Sequence, residues 1–304
     1  MSTQRSARMP ETPERVLLRL DWRIIRRLDG LLQGDYRSLF YGFGVDFADL
    51  REYQAEDDIR YIDWNVTARM DTPYVRQYTE DREVSAWFLL DLSPSVDFGT
   101  MQNREGKRAV LIDFVTVVAR LLTRHGNRVG AMMFGNGLQK SIPARSGKLQ
   151  VLRLINEMQK QPHWSQAPFT DLKLFLKGAL NSIRRRSLIF VISDFISTPG
   201  WESALSMLNQ HHEVIAVRLV DPAEMDLPDV GVMVMEDAET GGQLYVDTHD
   251  KKFRKRFQEA VQLRETDLKN AFKRAGVDVL TLSTQDDLVR AIVRFAKRRQ
   301  QMRR

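Results

Sequence analysis

There is no cysteine among the 304 residues. That excludes disulfides, thiolate metal centres and cysteine nucleophiles. Nor is any apolar run long enough to cross a bilayer. The two best stretches, 109–122 and 187–201, are broken by Asp113 and Arg120 and by Asp194. No continuous apolar segment follows the N-terminal arginines, so no signal peptide is expected and the cytoplasm is the default location. Histidine is scarce: His125, His163, His211, His212 and His249 are scattered, without an HExxH or paired-metal spacing. A metal-assisted hydrolase would therefore lack a placed base. A phosphate loop is missing too. Gly42 and Gly44 flank Phe43 with no Gly-Lys-Ser/Thr after them, and they read as a tight turn.

What is present is the composition of a soluble globular protein, 43% hydrophobic and 28% charged. The length suits one large domain or two of ordinary size. The net charge of +6 is unevenly placed: residues 251–304 hold 16 Lys/Arg against 6 Asp/Glu, and the remainder 30 against 34. A basic segment of this kind is the solvated face of terminal helices or a surface for an acidic partner or nucleic acid. No recognised nucleic-acid-binding motif accompanies it.

Residues 1–13 are polar with two prolines and are expected to be disordered. From Glu14 to Leu32, apolar residues at Val16, Leu17, Leu20, Ile24, Ile25, Leu28 and Leu31 predict an amphipathic helix with arginines opposite. It either packs on its own domain or docks elsewhere. A dense alternation of charge and aromatic residues follows, with Arg51, Glu52, Tyr53, Asp57, Asp58, Arg60, Tyr61, Asp63, Trp64 and Arg69. Two readings are compatible here: an Arg–carboxylate network fixing an irregular or β extension, and an interaction surface.

Beyond residue 84, buried strands alternate with helices. Strands are predicted at 84–90, 128–134, 187–193, 213–220 and 277–282, with hairpins at 128–142 and 230–247. Helices are predicted at 105–124, 148–160, 171–185, 201–211, 251–275 and 286–299. This pattern means an α/β fold with a doubly wound, mostly parallel sheet flanked by helices.

The apolar run Val84–Leu90 delivers Asp91, and Ser93 and Ser95 follow at alternate positions. One carboxylate and two hydroxyls form an oxygen-only set that suits a hard divalent cation such as Mg²⁺ or Ca²⁺. Asp, Ser and Pro are also ordinary strand-ending residues. Asp194 directly follows the second fully buried strand. In open parallel sheets ligands bind at the C-terminal edge of the strands, so the fold puts Asp91 and Asp194 on one edge. Two carboxylates close together are unfavourable unless a cation sits between them.

Asp91-x-Ser93-x-Ser95, then Thr170 before a helix, then Asp194 in VISDF resembles the von Willebrand factor type A domain. Ala167-Pro168-Phe169 stands where glycines are usual. The stretches GFGVDFADLREY, EDDIRYIDW and AR within residues 42–69 are similar to the signature of the domain-of-unknown-function-58 family (DUF58), with Ala55-Glu56 where many members have Pro-Gly. The resemblance implies residues 14–83 as an N-terminal helix and signature region and residues 84–304 as a type A-like domain. It implies a metal-ion-dependent adhesion site, with Asp91, Ser93, Ser95 and Thr170 around Mg²⁺, Mn²⁺ or Ca²⁺ and Asp194 mostly in the outer shell. It further implies protein binding beside a MoxR-type AAA+ ATPase in maturation or assembly of protein complexes. A hydrolase, and nucleic-acid binding through the basic C-terminal helices, are the alternatives.

Overall fold

The computed structural model describes residues 11–31, 49–54, 57, 59, 62, 64–70, 72–77, 85–97, 106–135, 137–162, 171–227, 229–236 and 242–302. The expected disorder of residues 1–10 and the tight turn at 42–44 lie outside them. Pro13 is already helical: α1 (Pro13–Leu20) is capped by Thr12, whose Oγ1 accepts from Arg15 N. One π turn (Asp21–Ile25) joins α1 to α2 (Arg26–Leu31). The apolar face of this helix, Val16, Leu17, Leu20, Ile25 and Leu28, is buried in the main core. Its arginine face is fastened as well, with Arg19 donating to both carboxylate oxygens of Asp113 at 2.9 and 3.2 Å. The helix therefore packs on its own domain.

In the signature region, β1 (Asp49–Glu52) pairs antiparallel with β2 (Tyr74–Gln77), with α3 (Trp64–Met70) between them. The chain then enters the main sheet. In order come β3 (Ser85–Asp91), α4 (Lys107–Arg124), β4 (Arg128–Gly135), β5 (Gly137–Arg145), α5 (Lys148–Lys160) and α6 (Leu172–Ser182). They are followed by β6 (Leu188–Ser193), α7 (Trp201–His211), β7 (Glu213–Val220), the hairpin β8 (Val232–Glu236) and β9 (Gln243–Asp247), α8 (Lys251–Ala275), β10 (Asp278–Ser283) and α9 (Leu288–Met302).

Among the described residues the main sheet has six strands in the order β10-β7-β6-β3-β4-β5. All neighbours are parallel except the edge pair β4 and β5. This is the doubly wound order, in which the winding reverses between the first and fourth strands of the sheet, here β3 and β6. Successive residues of the central strands feed two cores. Phe88, Leu90, Phe190 and Ile192 face α1, α4, α5 and α9, while Leu89, Ile189, Val191 and Ala216 face α6, α7 and α8. Burial on both faces explains the continuous apolar runs. Each fully buried Leu or Phe contributes roughly 1.5–3 kcal/mol. Phe88 stacks on Phe190 with ring centroids 5.3 Å apart, and Phe114 of α4 meets Phe190 edge-on.

Several predicted limits shift at the ends. β5 runs on through Pro143, which an edge strand tolerates. At Gly130, where the β4–β5 register shifts, a Cβ would lie 2.9 Å from Ala144 N and Ile142 O, so only glycine allows that approach. α6 stops at Ser182, three residues before the predicted limit. The basic segment is a mixture. Lys251, Lys252, Lys255 and Arg256 are exposed, but Arg299 is only 3% exposed and is paired with Glu213 and Asp278, tying α9 to β7 and β10.

Removing one partner of a buried ion pair strands the other charges. Arg299→Ala should therefore cost about 3–5 kcal/mol in urea denaturation. Arg290→Ala, whose side chain is 80% exposed beside Asp287, should change the midpoint little.

Candidate metal centre

β3 ends on Asp91 with its ladder to β4 still continuing, Leu92 N donating to Phe134 O at 2.7 Å. Asp91 Oδ1 then accepts from Ser93 N at 3.0 Å, a turn that Asp side chains favour. A 3₁₀ turn, Pro94–Asp97, follows, with Val96 N donating to Ser93 O. The turn carries the two serine hydroxyls to within 3.0 Å of each other. Asp91, Ser93 and Ser95 are 1%, 0% and 5% exposed.

The neighbouring strand β6 ends in the same manner. Ser193 Oγ donates to Asp91 Oδ2 at 2.6 Å and accepts from Phe195 N at 2.8 Å. Asp194 Oδ1 accepts from Ile196 N at 3.0 Å. Phe195 has φ +59°, the one non-glycine at positive φ among the described residues. A bulky residue in that region is strained and must be held there by its surroundings. Here the ring is clamped by Trp201 and Phe272, with centroids 5.3 and 4.8 Å away. The kink follows Asp194 directly and fixes the turn that presents its carboxylate.

Two adjacent cations at the start of α4 brace the ends of the two strands. Lys107, fully buried, donates to Asp194 Oδ2 at 2.8 Å and to Glu224 Oε1 at 2.6 Å. Arg108 donates to both oxygens of Asp97 and to the carbonyls of Gln161 and Pro162, so it ties the serine turn to the end of α5. Glu224 lies in a 3₁₀ turn after β7, in a capping box with Asp221. Asp221, also buried, accepts from Ala223 N and from Thr284 Oγ1.

Burial, then the nearby charge of Asp194, pushes the Asp91 carboxyl up to about 6, against the lowering effect of its bonds from Ser193 and Ser93. Burial by itself would lower the Lys107 ammonium, but Asp194 and Glu224 outweigh it and the net direction is up. Asp91 is thus a buried carboxylate bonded by neutral donors and repelled by a neighbour. An all-oxygen donor set with surplus buried negative charge fits a hard divalent cation. Among the described residues no three acidic or imidazole side chains cluster as a metal-holding group, so the serine hydroxyls are needed to complete one.

Of the residues singled out from the sequence, Asp91, Ser93, Ser95 and Asp194 come together at the winding reversal. Thr170 lies outside the described residues, next to Asp171, which caps α6 by accepting from Leu174 N. In the signature region Asp58, Arg60 and Asp63 also lie outside them. Arg51 sits in β1 opposite Val75. Trp64, at the first turn of α3, is 69% exposed, and Arg69 is exposed too. Sequence reasoning missed Ser193, Lys107 and Glu224. A lysine opening an apolar helix carries no signal of burial, and Ser193 reads as the last residue of a strand.

Residues 49–267 match the family described as "Protein of unknown function DUF58". The chain belongs to this family. A relative, the uncharacterized protein Rv1480 of Mycobacterium tuberculosis, is 33% identical over 280 residues, which are 92% of this chain and 87% of that protein. Similar solved structures include the conserved hypothetical protein BatB of Bacteroides thetaiotaomicron, with TM-score 0.46, 13% identity, and 72% and 99% of the two chains covered. Another is an aerotolerance-related membrane protein of Bacteroides fragilis, with TM-score 0.47, 13% identity, and 72% and 100% covered. Among the described residues of this DUF58 chain, no helix is long and apolar enough to cross a membrane.

The raised Asp91 value has a measurable consequence in chelator-treated protein. Between the ordinary value of 3.8 and about 6, the folded chain keeps a proton that the unfolded chain has released. Stability therefore falls as pH rises through that window. Asp91→Asn should flatten this part of the pH–stability curve and melt no lower than the wild type at pH 7. A wild-type curve that rises steadily from pH 4 to 6 while the variant's stays the same would count against a buried, repelled Asp91.

Proposed function

We propose that this DUF58 protein is a metal-dependent protein-binding module. The reading is carried by one observation: Asp91 and Asp194 are buried together at the winding reversal, and the hydroxyls of Ser93 and Ser95 converge beside Asp91. Asp91, Ser93 and Ser95, with Thr170 by the resemblance, would hold Mg²⁺ or a similar cation such as Mn²⁺ or Ca²⁺ directly or through water. Asp194 would stay in the outer shell. When bound, the ion supplies an electrophilic position that a carboxylate from another protein can complete. The chain's own groups prepare for this. Ser193 orients one Asp91 oxygen and the Ser93 N–H the other, and Arg108 fixes the serine turn through Asp97.

The partner we assign is a MoxR-type AAA+ ATPase or its client, as the family resemblance implies, with the module acting in maturation or assembly of protein complexes. The chemistry is binding rather than turnover. The described histidines, His125, His211, His212 and His249, have bonds to Leu121, Met207, Ser187 and Asp229.

Thermal melting tests the metal. Millimolar Mg²⁺ or Mn²⁺ should raise the midpoint by several degrees, the size of effect that binding well above Kd gives. Asp91→Ala should abolish the rise. A wild type that melts at the same temperature with and without the ion rules out the site. A MoxR-type AAA+ ATPase should be retained on the immobilised protein with Mg²⁺ and released by chelator.

A further inference from the structure

We propose that Lys107 is a resident cation that holds Asp194 out of direct coordination, and so trades affinity for the metal against demand for a carboxylate from outside. The inference rests on the metal-binding reading above and concerns a residue that neither the sequence motif nor the family likeness singles out.

Lysine is almost never fully buried unless paired, and the Lys107 side chain has no exposure at all. Its ammonium reaches Asp194 Oδ2 at 2.8 Å and Glu224 Oε1 at 2.6 Å. The other Asp194 oxygen already accepts from Ile196 N. Both oxygens of Asp194 are thus engaged, one of them by a full positive charge. Asp91 is treated differently: among the described residues its donors are neutral, the Ser93 N–H and the hydroxyls of Ser193 and Ser93. Among the described residues, the protein pairs one carboxylate of the two with a cation and gives the other neutral donors. Three elements set the position of the ammonium: the first turn of α4, the end of β6, and the turn after β7, where Glu224 is held by its capping box with Asp221. A buried ion pair seldom stabilises more than apolar side chains of the same volume would, so stability is a weak reason to keep this one.

A divalent ion bound by Asp91 and neutral hydroxyls keeps surplus positive charge. Direct ligation by Asp194 would remove that surplus and with it the attraction for a partner's carboxylate. Lys107 is accordingly a positioning residue, acting through Asp194 on the number of anionic ligands the ion receives.

The test uses the full chain with Mn²⁺ alone. Lys107→Met replaces the ammonium by an apolar chain of similar length. Because it strands two carboxylates, the double variant Lys107→Met/Glu224→Gln accompanies it and leaves the net charge of the cluster as in the wild type. Calorimetry gives Kd, and water-proton relaxivity of the bound Mn²⁺ reports how many waters it keeps. Lys107→Met should bind Mn²⁺ about tenfold more tightly or better, as loss of a nearby like charge requires. The double variant should also bind more tightly than the wild type, because Asp194 is then free to ligate the ion. Relaxivity should fall as Asp194 takes the place of a water. Equal or weaker binding by a variant with the wild-type circular dichroism spectrum overturns the role of Lys107 and leaves the metal-binding module standing. Binding by the variants but not by the wild type keeps Lys107 as the permanent cation and overturns the metal-dependent module. No binding by any of the three overturns both.

Discussion

Asp91 lies at the end of the central strand almost without solvent, beside a second carboxylate, and among the described residues the ammonium bonded there belongs to Lys107 and serves Asp194. This imbalance is the constraint on which the rest of the edge is arranged. A carboxylate that is buried, repelled and bonded only by neutral donors is costly in a folded protein. It persists where the surrounding structure holds it in place and where another charge is to be met. The strained Phe195 points the same way. A left-handed phenylalanine next to Asp194 is held by Trp201 and Phe272 rather than relieved.

The fold supplies the meeting place. The order β10-β7-β6-β3-β4-β5 makes the chain wind outward in both directions from the gap between β3 and β6. At such a reversal the loops at the C-terminal ends of the strands part and leave a crevice. Parallel pairing in register, Leu90 opposite Ile192, brings the ends of the two strands level, so Asp91 and Ser193 meet directly. The bracing comes from α4, where Lys107 reaches Asp194 at the end of β6 and Arg108 reaches Asp97 in the serine turn. α1, far earlier in sequence, packs against α4, and α2 against α9; both belong to the same core.

The fold was legible because its central strands are buried on both faces, and such strands are continuous apolar runs of strand length. Helices with a marked apolar face, such as α5, α7 and α8, were placed to the residue. Chemistry at the ends was harder to read. β5 continues beyond a proline because edge strands allow it. The β1–β2 pair was legible only as an irregular or β extension, since short strands with a polar face lack clear alternation. In the site, the D-x-S-x-S spacing and the Asp after β6 carried a signal, because a strand end announces itself by the change from apolar to polar. Lys107 and Glu224 carried none. Their burial is a tertiary fact: an ammonium at a helix start looks solvated until β6 and the turn after β7 close over it.

Diffraction from crystals grown with Mn²⁺, recorded near the manganese absorption edge, tests the central claim most directly. The account predicts one anomalous peak among the carboxylate of Asp91 and the hydroxyls of Ser93 and Ser95, with Asp194 still bonded to Lys107 and separated from the ion by water. Absence of any peak there in protein saturated with Mn²⁺, or a peak seated elsewhere in the fold, would contradict it.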